Sequence, residues 1–263
     1  MIRSEYYFKE VSLLITHYNR SLSLERLLTA FRNLQCRFLE IVVSDDGSKF
    51  EHLAHIKILQ NEFGFRLITT PVNKGLGNNI NKGQDAVKAP YTLYVQEDFE
   101  PSVEFAERFS DALNFMQERE ELDIVRFYAY FKYPYVRPYK KGFGEMVWKG
   151  APWYLNHLKF YFYSDHPHLR RSDFLTKFGR YPEGVKGDET EYRMAISFIK
   201  NKGKGLFYKD FTKIFYQRNS AAEPSTMVRS DWRQRKNLFV LFMRACYLQV
   251  KFIKCSLDLV FYK

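Results

Sequence analysis

The sequence predicts an α/β fold with a doubly wound, mainly parallel sheet. Three observations carry this. Short runs of branched apolar residues alternate with amphipathic stretches through the first hundred residues. Two of those runs end on acidic clusters, Asp45-Asp46 and Glu97-Asp98. The chain has 263 residues, 46% hydrophobic and 27% charged, which suits a packed core and excludes a disordered chain.

Val11 to Thr16 (VSLLIT) reads as a fully buried strand. The loop His17 to Ser21 follows, then a helix with Leu24, Leu27, Leu28 and Phe31 at helical spacing. Phe38 to Ser44 is the second strand, and it ends on Asp45-Asp46-Gly47-Ser48. A helix through Ile56 and Leu59 leads to a third strand near Phe65 to Thr69. Pro71 to Gly77 is a loop, and Asn79 to Val87 opens a helix. Tyr91 to Val95 is the fourth strand, ending on Gln96-Glu97-Asp98. In a parallel sheet both acidic clusters leave the carboxyl edge, where ligands of such folds bind.

From Phe127 to Tyr163 the chain is crowded with aromatic residues, Pro and Gly and shows little periodicity. A polar segment follows through Glu191, then a strand-like stretch at 207–218 and a Ser/Ala/Pro break. The chain continues as a basic helical tail, in which Arg233, Arg235, Lys236, Arg244, Lys251 and Lys254 alternate with large apolar residues. Such a helix suits an anionic membrane surface, or else packs on the domain with its charges in water. The expected division is residues 1–101 for the half that carries both acidic clusters, 102–222 for the second half of the same domain, and 223–263 for the tail.

The formal net charge of +11 fits nucleic acid, an anionic lipid surface or a phosphorylated substrate. No RRM, KH or zinc-finger pattern occurs, and carboxylates at strand ends repel a phosphate backbone, so nucleic acid is not expected. Three Cys without CxxC spacing argue against a disulfide scaffold or structural zinc and point to a reducing cytosol. No signal-like run or spanning segment is evident, so the expected location is cytoplasmic, with the tail as a peripheral contact on the inner face of the membrane.

Enzymes that use nucleotide-sugars hold a base and ribose, neutralise a diphosphate leaving group and deprotonate an acceptor hydroxyl. Asp46 is placed to accept hydrogen bonds from the nucleoside. Asp98, beside Glu97 and Glu100, is placed to hold a hard divalent cation shared with phosphates. Asp188, Glu189 and Glu191 are candidates for the base. Arg170 and Arg171 have the fork geometry that suits a diphosphate, although Asp173 offers a plain salt-bridge partner. Trp148 and Trp153 are the better stacking candidates among the aromatics.

The segments LLITHYNR, EIVVSDDGS, NKGLGNNINKG and YTLYVQEDFEPS, in that order, resemble the inverting glycosyltransferase family 2 of GT-A fold. The later RRSDFLTKFGRYPEG and GDETEYRM look like its acceptor-side segment. The resemblance implies a GT-A-like doubly wound sheet, a nucleotide-sugar donor, a glycan or lipid-linked glycan acceptor, and Mn2+ or Mg2+. Residue by residue, it implies nucleotide-sugar contacts from Thr16, Asn19, Asp46, Lys74, Gly75, Asn81 and Glu97. It also implies a metal contact from Asp98 and a catalytic base in the Asp188-Glu189 pair, with Glu189 favoured by alignment. Two positions depart from the pattern: Gln96 replaces the first Asp of Asp-x-Asp, and Ile80 stands where the family has Arg.

Plainer readings exist for each motif. Asp45 to Ser48 fits an ordinary turn, Glu97-Asp98 a solvated helix start, and Asp188 to Glu191 a charged helix face. Asp165-His166-Pro167-His168 suggests a metal or phosphate contact, but such histidines are more often structural. Two other functions compete: a sugar nucleotidyltransferase, whose first loop is usually Gly-rich, and a non-catalytic binder of glycan or nucleotide. The loop His17 to Ser21 has no Gly, which counts against the first. The expected activity is hexosyl-type transfer with inversion, in bacterial-type surface polysaccharide or lipopolysaccharide biosynthesis.

Overall fold

The computed structural model describes residues 5–150, 153–219, 223 and 237–261. The chain opens with parallel strands β1 (Tyr6–His17), β2 (Cys36–Asp45), β3 (Arg66–Ile68) and β4 (Tyr91–Gln96). Helices α1 (Ser21–Asn33), α2 (Phe50–Phe63) and α3 (Leu76–Ala86) connect them. Next come β5 (Phe99–Pro101), α4 (Phe105–Glu118), β6 (Ile124–Arg126), β7 (Val136–Pro138) and β8 (Phe143–Met146). A 3-10 turn (His157–Phe160), β9 (His168–Arg171), α5 (Phe174–Phe178), α6 (Gly187–Lys200), β10 (Gly205–Tyr208), β11 (Phe215–Gln217) and α7 (Leu238–Phe261) complete the chain.

Nine strands form one mixed sheet in the order β3-β2-β1-β4-β9-β6-β10-β8-β7. The neighbours within β1 to β4 are parallel, as are β6 and β10, whereas β9 enters antiparallel between β4 and β6. The period of two along each strand builds a core on each face. Leu13, Ile15, Val43, Leu93 and Val95 pack with Leu24, Leu27, Phe31, Phe105 and Phe109 on one side. Leu14, Val42 and Tyr94 pack with Ile80, Phe174, Met194 and Phe198 on the other.

The elements expected in the first hundred residues are present in order. The single strand expected at 207–218 is instead two strands in different sheets. β10 joins the main sheet, and β11 turns back to pair with β5, Tyr216 opposite Glu100. That pairing returns the chain to the acidic strand end. Of the expected basic tail, Arg233, Arg235 and Lys236 lie outside the described residues, whereas α7 is helical as expected.

Candidate active site

β1 lies between β2 and β4, so the two acidic clusters flank one strand end instead of occupying adjacent strands. The last two carbonyls of β1 anchor both clusters: Thr16 O accepts from Glu97 N at 3.2 Å, and His17 O from Asp46 N at 3.0 Å. The parallel register places Thr16 opposite Gln96 and His17 opposite Asp45. Asp46 and Glu97-Asp98 therefore open on the same edge of the sheet.

In the first cluster the two aspartates have different surroundings. Asp45 is fully buried and accepts hydrogen bonds from His17 Nδ1 (2.8 Å), Ser48 Oγ (2.5 Å) and Thr69 Oγ1 (2.8 Å). Burial alone would raise its pKa, but these donors outweigh burial and hold it well below the ordinary carboxylate range. Asp45 thus builds the loop. Asp46 takes the Lys74 and Gly75 amides at 2.9 Å each, one on either oxygen. Burial raises its pKa and those two amides oppose the rise. Each oxygen keeps a second acceptor site for a ligand donor. Gly47 (φ +69°) lets the 72–73 backbone approach this turn: a Cβ there would lie 2.5 Å from Val72 C.

At the second cluster, Arg20 Nη1 lies 3.5 Å from Glu97 Oε1 and 3.2 Å from Asp98 Oδ2. Burial and then the Asp98 charge push the Glu97 carboxyl up to about 8. Gln217 Nε2 donates to Asp98 Oδ2 at 2.9 Å, and Asp98 O accepts from Arg218 N. Asp98 Oδ1 is buried and has no hydrogen-bond partner among the described residues. A buried anionic oxygen left free is costly unless it meets a donor or a cation, so Asp98 fits a metal contact. Among the described residues no group of three or more His, Cys, Asp or Glu could hold a metal alone, so a cation here would need phosphate oxygens as well.

A second carboxyl pair completes the site. Gln96 Nε2 donates to Asp165 Oδ2 at 3.2 Å, and Asp165 N donates to Glu191 Oε1 at 3.4 Å. Asp165 is pushed well above the ordinary range by burial first, then by the Glu191 charge, with a smaller push from Asp98. Buried Arg126 senses both Glu191 and Asp165 and offsets some of their charge.

The remaining expected site residues divide clearly. Lys74 and Gly75 hold Asp46 through their backbone. Thr16 Oγ1 meets Tyr94 Oη at 3.0 Å beneath the site. Asn19, in the left-handed region at φ 52°, accepts from Lys49 N and fixes the first loop. Asn81 is taken up by the neighbouring loop: it donates to Tyr181 O and Glu183 Oε1 and accepts from Tyr181 N. Arg171 is a correction. It stands opposite Tyr91, at the other end of β4, and donates to the backbone carbonyls of Leu122, Met116 and Arg119. Arg170 is buried against Gln84 and Tyr181. Neither arginine reaches the strand edge that carries the acids.

Glu189 stands apart from the Asp165–Glu191 pair. It pairs with Arg193 at 2.6 Å on the half-exposed side of α6 and influences Lys254 of α7. Asp188 is exposed in the first turn and accepts from Glu189 N. Two residues on a helix differ by about 200° around its axis, so a turn that aims Glu191 at Asp165 aims Glu189 away. Within Asp165-His166-x-His168, only Asp165 reaches the site. His166 packs edge-on against Phe99, Tyr128 and Tyr130, and His168 is buried between Tyr94 and Tyr163. Arg20, Gln217 and Asn219 (which accepts from Arg20 Nη2 at 2.5 Å) were not foreseen. Only their approach in space marks them.

The fold and this edge define an α/β protein with its carboxylates gathered at the carboxyl ends of parallel strands. The profile of glycosyl transferase family 2 matches residues 12–179, more than half the chain, and the chain belongs to that family. No curated protein matches the chain significantly. Solved structures share its GT-A fold. S. aureus TarS 1–349 in complex with UDP-GlcNAc is 18% identical with a TM-score of 0.57, covering 83% of this chain and 62% of that one. The Pyrobaculum calidifontis mannosyltransferase PcManGT, with GDP-Man and Mn2+, is 12% identical with a TM-score of 0.52, covering 77% and 55%. GalNAc-T7 with UDP, GalNAc and Mn2+ is 13% identical with a TM-score of 0.54, covering 76% and 42%. The chain thus spans about three fifths of the TarS 1–349 structure and less of the other two.

Proposed function

We propose that this chain transfers a sugar from a nucleoside-diphosphate sugar to an acceptor hydroxyl, with inversion at the anomeric carbon. The observation that carries the proposal is the convergence at the end of β1. Asp46 and Asp98 flank it, and the Asp165–Glu191 pair adjoins Asp98 through Gln96. The structures sharing this fold include complexes with UDP-GlcNAc, UDP and GDP-Man, two of them with Mn2+. We extend that chemistry to this chain, with a glycan or lipid-linked glycan of bacterial surface type as acceptor.

In this reading Asp46 accepts from the nucleoside and Glu97 faces the ribose. Asp98 would hold Mn2+ or Mg2+ through Oδ1, and the ion would neutralise charge on the departing diphosphate. Glu191, beside the buried Asp165 carboxyl, takes the acceptor's hydroxyl proton. That oxygen bonds to the anomeric carbon as the bond to the diphosphate breaks on the opposite face. This assigns the base to Glu191 with Asp165, in preference to Glu189.

The test combines donor binding with single-turnover transfer. UDP-, GDP-, dTDP- and CMP-sugars are screened with and without Mn2+ by thermal shift. Glu191→Gln should bind donor normally and lose about a hundredfold or more in transfer, as expected for a lost general base. Glu189→Gln should transfer nearly as the parent does. The reverse pattern would return the base to Glu189, and failure of every donor to bind would end the transferase reading.

A further inference from the structure

α7 has two apolar faces, and the described residues cover one of them. Its inner face seats Phe252 against Phe160, buries Cys255 and ties Asp258 to Tyr192 at 2.6 Å. Its outer face exposes Met243, Tyr247, Val250, Ile253, Leu257 and Phe261, each about half exposed or more. A terminal helix that merely packs on a domain presents polar residues outward. Leu155 is 61% exposed beside a groove of about 420 Å³ that it shares with Leu158, Ala245, Leu248 and Phe252, and nearby in sequence Trp153 is 77% exposed.

Charge selects the occupant. From Arg229 onward the sequence carries eight Lys and Arg against Asp231 and Asp258, a net of +6 out of +11 for the whole chain. Two copies meeting through α7 would bring these like charges together. A coiled-coil seam would also be a narrow stripe flanked by residues of complementary charge. Here the apolar arc is wider, about 140° at 100° per residue, from Tyr247 on one flank to exposed Phe242 and Val260 on the other. No helix among the described residues is long and apolar enough to cross a membrane. A broad apolar face, an aromatic rim and excess positive charge are what an anionic bilayer surface accepts from a helix lying in its plane.

We propose that the outer face of α7, with Leu155 and Trp153, docks this chain onto an anionic lipid surface. Lys254 lies within the arc and can extend its ammonium to the headgroups while its stem stays in the apolar layer. Docking on this face is independent of the transfer reaction, and its test measures no activity.

The experiment is flotation of the full chain with phosphatidylcholine vesicles, with and without phosphatidylglycerol. The chain should float with the anionic vesicles and much less with the neutral ones, and raising salt from about 50 to about 500 mM should release it. Val250→Asp, Ile253→Asp and Leu257→Asp together should abolish flotation without changing the melting temperature. Should that variant not fold, Arg244→Gln with Lys254→Gln is the alternative, expected to weaken binding by about fivefold per charge removed. Flotation that is absent, equal on neutral vesicles or indifferent to these variants would overturn the proposal. So would a stable dimer of the parent chain that Val250→Asp dissociates, because the face would then belong to a second copy.

Discussion

Replacing Gly47 by Ala tests how the turn after β2 supports Asp46. Gly47 sits at φ +69°, where an L side chain is strained by roughly 1–2 kcal/mol. The new Cβ would also lie 2.5 Å from Val72 C, so the 72–75 segment must retreat by roughly 0.9 Å to reach ordinary contact at 3.4 Å. Lys74 N and Gly75 N, at 2.9 Å from the Asp46 carboxylate, lie in that segment. Losing one such charge-assisted bond costs about 1.5–3 kcal/mol, for a total of roughly 2.5–5 kcal/mol. Gly64 supplies the control. It has the same φ of +69°, caps α2, and has nothing within 4 Å of a Cβ. Gly64→Ala should therefore cost only the backbone strain. Urea unfolding of both variants gives the difference, and donor titration shows whether Asp46 has lost its geometry. Equal destabilisation by the two substitutions would refute the close-approach argument.

Two further outcomes follow from the site. Glu97 titrates near 8 in the folded chain against an ordinary 4.5. Folding therefore favours its protonated form, and this contribution is complete below about pH 4.5 and is lost as pH rises through about 8. Without added cation, Glu97→Gln should accordingly match the parent's melting temperature at acid pH and exceed it at pH 9; a parallel pH dependence would show that Glu97 is not the responsible group. Arg171→Met should lower stability by about 2–4 kcal/mol, because three backbone carbonyls at and beyond the C-terminus of α4 lose their donors. Donor affinity should not change, and a large loss of affinity would restore Arg171 to the site.

The first half was legible because its signals are local. VSLLIT and YTLYV are too apolar for anything but buried strands, and Asp45-Asp46 and Glu97-Asp98 had to leave them at one edge once the strands were parallel. The family resemblance singled out Asp46, but no local pattern shows what occupies Asp45, since His17 and Thr69 reach it from other strand ends. Arg170 and Arg171 look alike in sequence and both serve packing. Alignment favoured Glu189, but the rotation of α6 presents Glu191 to Asp165. Asp165 itself stood in a His-rich motif whose His168 went to the core and whose half-buried His166 went among aromatic rings. β9 entering between β4 and β6 brings Asp165 to Gln96, and no local pattern announces that pairing.

The return of the chain through β11 bears on the order of folding. Gln217 reaches Asp98 across 119 positions, and Arg20 reaches Asn219 across 199. A few residues on, Glu223 accepts the Leu22 and Ser23 amides at the start of α1, at 2.9 and 2.8 Å. β1 to β4 can pair from nearby contacts as the chain emerges, but these closures wait for most of it, because long loops close late and at an entropic cost. Until then Glu97 and Asp98 stand together with Arg20 but without the amide of Gln217. The first turn of α1 likewise lacks its carboxylate cap. The edge that carries Glu97 and Asp98 is therefore assembled last, from residues near 20 and near 220, on a sheet that already exists.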